Sequence, residues 1–267
     1  MIVSTPKVDF NVKIIGDIKN YTPLVFLHGF MGSMENWNKI TQQFNIPIVF
    51  IDLPGHGQSH FKEIDNYSFT EWIDDFKFIL DKLSINRINL CGYSMGGRLA
   101  LSFACEYPQM VNRLILESTT AGIIDETERE KRISDDLLNM AEINKDYLGF
   151  VKKWSENLLF ENQKKRNSSG WEAQEKIRLE QNEGELSLSL QFLGTGMMPP
   201  LWDKIKKLQS AVMLITGSED PKYCRIAAEC LQSIPDCKWV NISNCGHNVH
   251  LEQSAQFVES IKSFLQS

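Results

Sequence analysis

The chain has 267 residues, a length that suits one large α/β domain and exceeds that of the usual small domain. With 42% hydrophobic and 23% charged residues, it is neither a disordered chain nor a fibrous repeat. A formal net charge of −6 without a basic tail argues against a dedicated nucleic-acid-binding protein.

The chain also lacks the usual marks of export and of membrane insertion. Its longest apolar runs fall far short of the ~18 residues that span a bilayer, and its N-terminus does not resemble a signal peptide. The six cysteines are scattered without a Cys-x-x-Cys pair, which is typical of reduced thiols. We therefore expect a cytoplasmic protein without membrane insertion, and the sequence leaves its oligomeric state open.

The first 118 residues alternate short apolar runs with amphipathic stretches, an order that predicts a doubly wound, mostly parallel sheet. The apolar runs are rich in Ile, Val and Leu, as in the buried strands of parallel sheets. The predicted strands are Val12–Ile15, Leu24–Leu27, Ile48–Asp52, Ile88–Cys91 and Leu114–Leu116. The predicted helices lie near Asn36–Gln43, Thr70–Leu83 and Met95–Glu106, and Thr70 is a candidate for the start of the second.

Residues 119–207 differ from the rest, because they are polar and helical in pattern and show little strand signal. We interpret them as a helical lid inserted into the sheet. The sheet is expected to resume with Val212–Ile215 and Lys238–Ile242, followed by a closing helix over Ala255–Leu265. The predicted core therefore consists of residues 1–118 and 208–267.

A Gly-x-Ser-x-Gly motif, Gly92-Tyr93-Ser94-Met95-Gly96, lies between a predicted strand and a predicted helix. In this context the motif is typical of a nucleophile elbow, a tight turn that exposes the serine hydroxyl. Taken alone it could instead be a glycine-rich turn.

Two further residues make the elbow interpretation stronger. Asp220 and His247 each follow a predicted strand, and the order Ser, acid, His is that of α/β-hydrolases. His247 would accept the proton of Ser94, and Asp220 would hold the imidazole in the required tautomer. Glu219 remains a rival acid, and His250 is interpreted as a packing residue.

The loop after the strand Leu24–Leu27 is a candidate for half of an oxyanion hole. Its small residues would present the backbone N–H of Phe30, which with the N–H of Met95 would stabilise a developing negative charge. The turn over residues 52–57 lacks the spacing of a dinucleotide-binding loop and is interpreted as structural. The sequence has no phosphate-binding loop and no metal-ligand pattern, so we expect neither a cofactor nor a metal.

Taken in order, these motifs resemble the 2-succinyl-6-hydroxy-2,4-cyclohexadiene-1-carboxylate synthase (MenH) family of the α/β-hydrolase superfamily. The arginine directly after the elbow, in Gly92-Tyr-Ser-Met-Gly-Gly-Arg98, is more discriminating than the elbow itself. The resemblance runs from about residue 22 to about residue 260. Its other segments are residues 26–30, 52–57, 117–122, 128–132, 154–160, 178–182, 194–202, 217–220 and 246–250.

The resemblance implies a lyase of menaquinone or phylloquinone biosynthesis. In that reaction pyruvate is eliminated from a cyclohexene that carries a succinyl chain and an enolpyruvyl ether. The serine of the triad acts as a base on a ring proton and need not form an acyl-enzyme. The substrate is a small molecule with three carboxylates.

The resemblance also implies which residues bind that substrate. Arg98 lies one helical turn after Ser94 and is expected to face the pocket. The other implied substrate-binding residues are Tyr93, Arg132, Trp154 and Arg178. Each lid arginine could instead be a solvated surface residue, and Arg129 is a rival for Arg132.

Two other classes of function stay open at this point. The same fold and triad support a true serine hydrolase, such as an esterase, a thioesterase or a carbon–carbon hydrolase. A non-enzymatic receptor of this fold could also retain the triad. The three-arginine pattern favours the lyase, because a general esterase has no use for several guanidinium groups.

Overall fold

The computed structural model describes residues 1–160 and 163–266. Within these residues the structure contains a single nine-stranded sheet. Its strands are β1 (Ile2–Ser4), β2 (Val8–Ile15), β3 (Leu24–Leu27), β4 (Ile48–Ile51), β5 (His60–Phe61), β6 (Ile88–Tyr93), β7 (Val111–Glu117), β8 (Ala211–Gly217) and β9 (Cys237–Ile242).

The strand order is β1-β2-β4-β3-β6-β7-β8-β9, and β5 pairs with β2. All neighbours from β4 to β9 are parallel, whereas β1, β2 and β5 form antiparallel pairs at one edge. The mostly parallel, doubly wound sheet predicted from the sequence is therefore confirmed. The carboxyl ends of β3, β6, β7, β8 and β9 point the same way, so the loops that follow them meet at one edge of the sheet.

Helices cover both faces of this sheet, and the segment between β7 and β8 is also helical. They are α1 (Asn38–Thr41), α2 (Phe69–Lys82), α3 (Met95–Glu106), α4 (Glu126–Lys145), α5 (Tyr147–Ser155), α6 (Gln163–Arg166), α7 (Ser168–Leu179), α8 (Glu183–Leu193), α9 (Trp202–Ile205), α10 (Pro221–Ser233), α11 (Val249–Glu252) and α12 (Ser254–Gln266). Short 3-10 turns occupy Met34–Trp37, Pro108–Met110, Leu158–Phe160 and Thr195–Met197. No described helix is both long enough and apolar enough to cross a bilayer.

Two expected helix starts are wrong in detail. The helix expected over Asn36–Gln43 is broken into a 3-10 turn and the short α1, because Ser33 caps the turn and the Asn36 side chain accepts the backbone N–H of Ser33. The second helix begins at Phe69, and its N-cap is Ser68 and not Thr70. The Ser68 hydroxyl accepts the N–H of Glu71 at 3.3 Å, which satisfies one of the free donors of the first turn.

Apolar side chains form a separate core on each face of the sheet. One core packs α2 and α3 against the sheet, and its largest members include Phe10, Trp72, Phe76 and Phe103. The other packs α1 and α12 against the opposite face. A third, smaller cluster joins the loop after β3 to the predicted lid, through Met31, Ile143, Phe150, Val151, Leu186 and Leu190.

Candidate active site

Ser94 lies on a sharp turn between β6 and α3. Its backbone has φ 50° and ψ −107°, an uncommon conformation for a residue with a side chain. The turn is tight enough that a Cβ added at Gly92 would lie 2.4 Å from the carbonyl oxygen of Gly96. At Gly96 an added Cβ would lie 2.3 Å from the carbonyl oxygen of Leu27. Both glycines are therefore required by close backbone approach, as the elbow interpretation predicts.

The structure brings the three predicted triad residues together. His247 Nε2 lies 3.3 Å from Ser94 Oγ, and His247 Nδ1 lies 2.7 Å from Asp220 Oδ2. Asp220 and His247 are 4% and 3% exposed, so their contact is shielded from water. This is the nucleophile–base–orienter geometry that nucleophilic or general-base chemistry requires. The rival acid, Glu219, pairs instead with Arg166.

Three aromatic rings surround the imidazole of His247. The ring centroids of Tyr93, Tyr223 and Phe160 lie 5.3, 4.6 and 6.2 Å from it. Burial raises the pKa of both Tyr93 and Tyr223, so their hydroxyls stay protonated at neutral pH. Sequence reasoning missed Tyr223 and the contact of Phe160, because both reach His247 through tertiary packing and not through a motif.

The two predicted oxyanion donors come from the loop after β3 and from the start of α3. Phe30 is in the turn closed by the Gly32 N–H, which donates to the carbonyl of Gly29 at 3.0 Å. Met95 is the first residue of α3. Neither the Phe30 N–H nor the Met95 N–H has an acceptor among residues 1–160 and 163–266. Free donors at these positions fit an oxyanion hole, whose donors must await the charge of the transition state.

Arg98 is buried beneath the end of α8. Its guanidinium donates from Nη1 to the carbonyl of Leu193 at 2.8 Å, and it lies 6.0 Å from the ring centroid of Phe69. Burial lowers the pKa of Arg98 to about 10, so the group is still charged at neutral pH. No carboxylate pairs with it in the part of the chain that the structure describes.

Arg178 comes from the predicted lid and is 1% exposed. It donates to Ser155 Oγ at 2.8 Å and lies 4.7 Å from the ring centroid of Phe160, one of the rings around His247. Its Nε is buried and has no partner within the described residues. Burial lowers the pKa of Arg178 to about 10. Among those residues this guanidinium, too, lacks a carboxylate partner.

Arg132 differs from these two arginines because it has a partner of its own. Its Nε lies 3.1 and 3.0 Å from the two carboxylate oxygens of Asp136, one turn along α4. Burial acts to lower the pKa of Arg132, but the hydrogen bonds and charge of Asp136 leave it raised. Arg132 lines a cleft of about 810 Å³ together with Lys222 and Tyr223. Its rival, Arg129, pairs with Glu126 near the surface.

Trp154 lies above the loop that carries Phe30. The two ring centroids are 5.4 Å apart in an edge-to-face arrangement, and Phe150 stacks on Trp154 at 5.7 Å. The indole Nε1 of Trp154 is buried without a partner among the described residues. These contacts place Trp154 beside one of the candidate oxyanion donors.

No three His, Cys, Asp or Glu side chains of the described residues are arranged to hold a metal ion. His28 and His56 are buried and hydrogen-bonded to backbone groups. Asp52 likewise serves the backbone, since it accepts the N–H groups of Met34 and Gln58 at 2.7 and 3.0 Å.

Comparison with known proteins first establishes the fold family of the chain. The sequence profile of the α/β-hydrolase fold family matches residues 22–254, so the chain belongs to that family. The fold class predicted from the sequence is thereby confirmed.

Three relatives narrow the assignment within that fold. A Citrobacter koseri 2-succinyl-6-hydroxy-2,4-cyclohexadiene-1-carboxylate synthase is 31% identical over 244 residues, covering 91% of this chain and 93% of the relative. A Bacillus subtilis protein that carries the same synthase name provisionally is 36% identical over 247 residues, covering 91% and 90%. The structure of MenH from S. aureus matches with a TM-score of 0.89 and 31% identity, covering 98% of both chains. The chain belongs to this family of 2-succinyl-6-hydroxy-2,4-cyclohexadiene-1-carboxylate synthases, as the sequence motifs predicted.

Proposed function

We propose that the chain catalyses the reaction for which its relatives are named. Pyruvate is eliminated from 2-succinyl-5-enolpyruvyl-6-hydroxy-3-cyclohexene-1-carboxylate, a step of menaquinone or phylloquinone biosynthesis. The product is 2-succinyl-6-hydroxy-2,4-cyclohexadiene-1-carboxylate. The substrate is a small polycarboxylate, and no cofactor takes part.

In this proposal Ser94 is the base, and His247 and Asp220 activate it. The imidazole takes the Ser94 proton, and Asp220 stabilises the imidazolium that forms. The serine oxygen removes the ring proton next to the succinyl carbonyl. The electron pair moves through the ring and breaks the ether C–O bond, and the departing enolate of pyruvate takes the proton from the His247 imidazolium, which restores the triad. The backbone N–H groups of Phe30 and Met95 stabilise the charge on the succinyl carbonyl oxygen.

The observation that carries the proposal is the pair of buried guanidinium groups, Arg98 and Arg178, which have no carboxylate partner among the described residues. A buried charge is costly unless it is paired, and a guanidinium is well suited to bind a carboxylate through two hydrogen bonds. An anionic ligand would supply the missing partners. The proposed substrate site also includes Arg132 at the neighbouring cleft, Tyr93 beside His247 and Trp154 beside Phe30.

The direct test compares two reactions of the purified protein. Pyruvate release is measured from the enzymatically prepared cyclohexene substrate, and hydrolysis of a p-nitrophenyl ester is measured in parallel. The proposal predicts rapid pyruvate release with poor ester cleavage. Fast ester cleavage without pyruvate would instead assign the triad to a serine hydrolase.

A further inference from the structure

A second buried carboxylate–imidazole pair, Glu117 and His250, lies beside the triad. The two residues are 0% and 1% exposed. His250 Nδ1 lies 2.8 Å from each carboxylate oxygen of Glu117, and the backbone N–H of His250 donates to Glu117 Oε1 at 3.0 Å. A carboxylate buried this deeply requires such partners. The pair therefore forms a fixed connection between the end of β7 and the start of α11.

Glu117 is also bonded to the nucleophile, through its backbone. Its carbonyl oxygen accepts the N–H of Ser94 at 2.9 Å. It is the last residue of β7 and lies opposite Tyr93 in the parallel pairing of β6 with β7. One residue thus holds the elbow through its carbonyl and the histidine loop through its carboxylate.

The loop that carries the catalytic histidine is consequently fixed at two points. His247 is held by Asp220, and His250, three residues later, is held by Glu117. The ring of Tyr93 contacts both imidazoles, with centroids 5.3 Å from His247 and 4.8 Å from His250. A shift of His250 would therefore move the neighbours of His247.

The distance that this arrangement controls is the one between Ser94 Oγ and His247 Nε2, which is 3.3 Å. That is the long end of hydrogen-bond reach, so a small displacement would break the contact. Misplacing a catalytic group by about 1 Å can lower a rate by about 10²-fold. Within the described residues, neither side chain of the pair hydrogen-bonds to Ser94 Oγ or to the His247 ring, so its effect must be indirect.

We propose that Glu117, together with His250, is a positioning residue that sets the approach of His247 to Ser94. The inference rests on the triad of the proposed function, but it does not depend on the identity of the substrate.

The test uses Glu117→Ala, Glu117→Gln and His250→Asn, with Asp75→Asn as a matched control. Asp75 is also a buried carboxylate with a hydrogen-bonded partner, since it accepts the Tyr67 hydroxyl at 2.7 Å, but it lies in α2. Glutamine retains an oxygen that can accept the backbone N–H of His250, whereas alanine does not.

Two quantities are measured on each folded variant. One is kcat and KM for pyruvate release. The other is the low-field proton NMR resonance of the His247 Nδ1–H bonded to Asp220, which is assigned by its loss in Asp220→Asn. We expect Glu117→Ala and His250→Asn to lower kcat about ten- to a hundredfold at nearly constant KM and to shift or broaden the resonance. Glu117→Gln should keep most of the wild-type kcat and a resonance close to the wild-type position. Asp75→Asn should lower only the free energy of unfolding.

The proposal is wrong if folded Glu117→Ala and His250→Asn keep the wild-type resonance and kcat and lose only as much stability as Asp75→Asn. His250→Asn decides the matter even if Glu117→Ala does not fold. If the wild-type protein releases no pyruvate, the reaction assignment fails, while the NMR comparison still tests the positioning role.

Discussion

Arg98 and Arg178 are the residues whose placement is hardest to explain without a ligand. Among the residues that the structure describes, each is a buried cation bonded only to neutral groups, a carbonyl for Arg98 and a hydroxyl for Arg178. Because burial lowers the pKa of each to about 10, both keep their charge at neutral pH at a cost in free energy. A bound carboxylate would offset that cost by pairing with the guanidinium groups. The site should therefore favour polyanionic ligands.

We therefore predict that Arg98→Ala lowers kcat/KM for the cyclohexene substrate by about ten- to a hundredfold. A charge-assisted hydrogen bond lost from a buried site is worth about 1.5–3 kcal/mol. Arg129→Ala is the control, because that arginine lies near the surface and is paired with Glu126, where such contacts contribute little. Steady-state kinetics on the two variants checks this, and equal kcat/KM values would remove Arg98 from the site.

At the scale of single residues, the sequence identified residues that belong to motifs and missed contacts that form only through tertiary packing. Ser94, His247 and Asp220 could be found because their order and their positions after strands are diagnostic. Glu117 and His250 lie in segments of the family resemblance, but no motif indicated that their side chains pair. They are 133 positions apart, and tertiary packing brings their side chains together.

At the start of helix α10 one residue, Asp220, both caps the helix and belongs to the candidate site. Asp220 is its N-cap, and its Oδ1 accepts the N–H of Tyr223 at 3.2 Å while Oδ2 faces His247. A carboxylate at a helix N-terminus is favoured both as a cap and by the helix dipole. The fold thus holds the triad acid by the same bond that starts the helix.

The two roles of Asp220 should separate by substitution. Asn also caps helices well, so Asp220→Asn should change the free energy of unfolding little but lower kcat about 10³–10⁴-fold, because the imidazolium loses its partner. Asp220→Ala should lose the same activity and about 1 kcal/mol of stability in addition. Urea unfolding and pyruvate release measure the two effects. Equal stabilities of the Asn and Ala variants would disprove the capping role.

At the scale of elements, strong patterns were predicted well and weak ones were not. Helix α3 was predicted with its observed bounds, Met95–Glu106, because apolar periodicity and the elbow agree there. The edge strands β1 and β5 were missed because they have three and two residues and pair only at the rim of the sheet. The division into a core and a lid over residues 119–207 stays a proposal.

Two buried histidines connect the stability of the whole molecule to pH. His28 Nδ1 donates to the carbonyl of Gly29 at 2.8 Å, and its Nε2 accepts the N–H of Leu53 at 3.0 Å, an arrangement that only the neutral imidazole can make. Burial lowers the pKa of His28 to about 4, and its hydrogen bond to the Gly29 carbonyl opposes this shift only in part. Burial also lowers the pKa of His56, to about 3.

These shifts predict destabilisation by acid. Because both folded-state pKa values lie below the unfolded value near 6.5, the unfolded chain binds more protons as the pH falls, and stability is lost below about pH 6.5. For His28 the loss by pH 4 is about 3 kcal/mol. Denaturant unfolding between pH 7 and pH 4.5 should show a shallower decline for His28→Gln, although that variant starts less stable. Parallel declines for the two proteins would contradict the prediction.

Elimination by a serine base is the central claim, and single-turnover pyruvate release by the wild-type protein and Ser94→Ala tests it most directly. The variant removes only a hydroxyl from a site whose other donors and guanidinium groups remain. We predict that the substrate still binds, with a Kd within a few-fold of the wild-type value. The rate of release should fall at least about 10³-fold. Release at a rate close to that of the wild type would show that another group removes the proton.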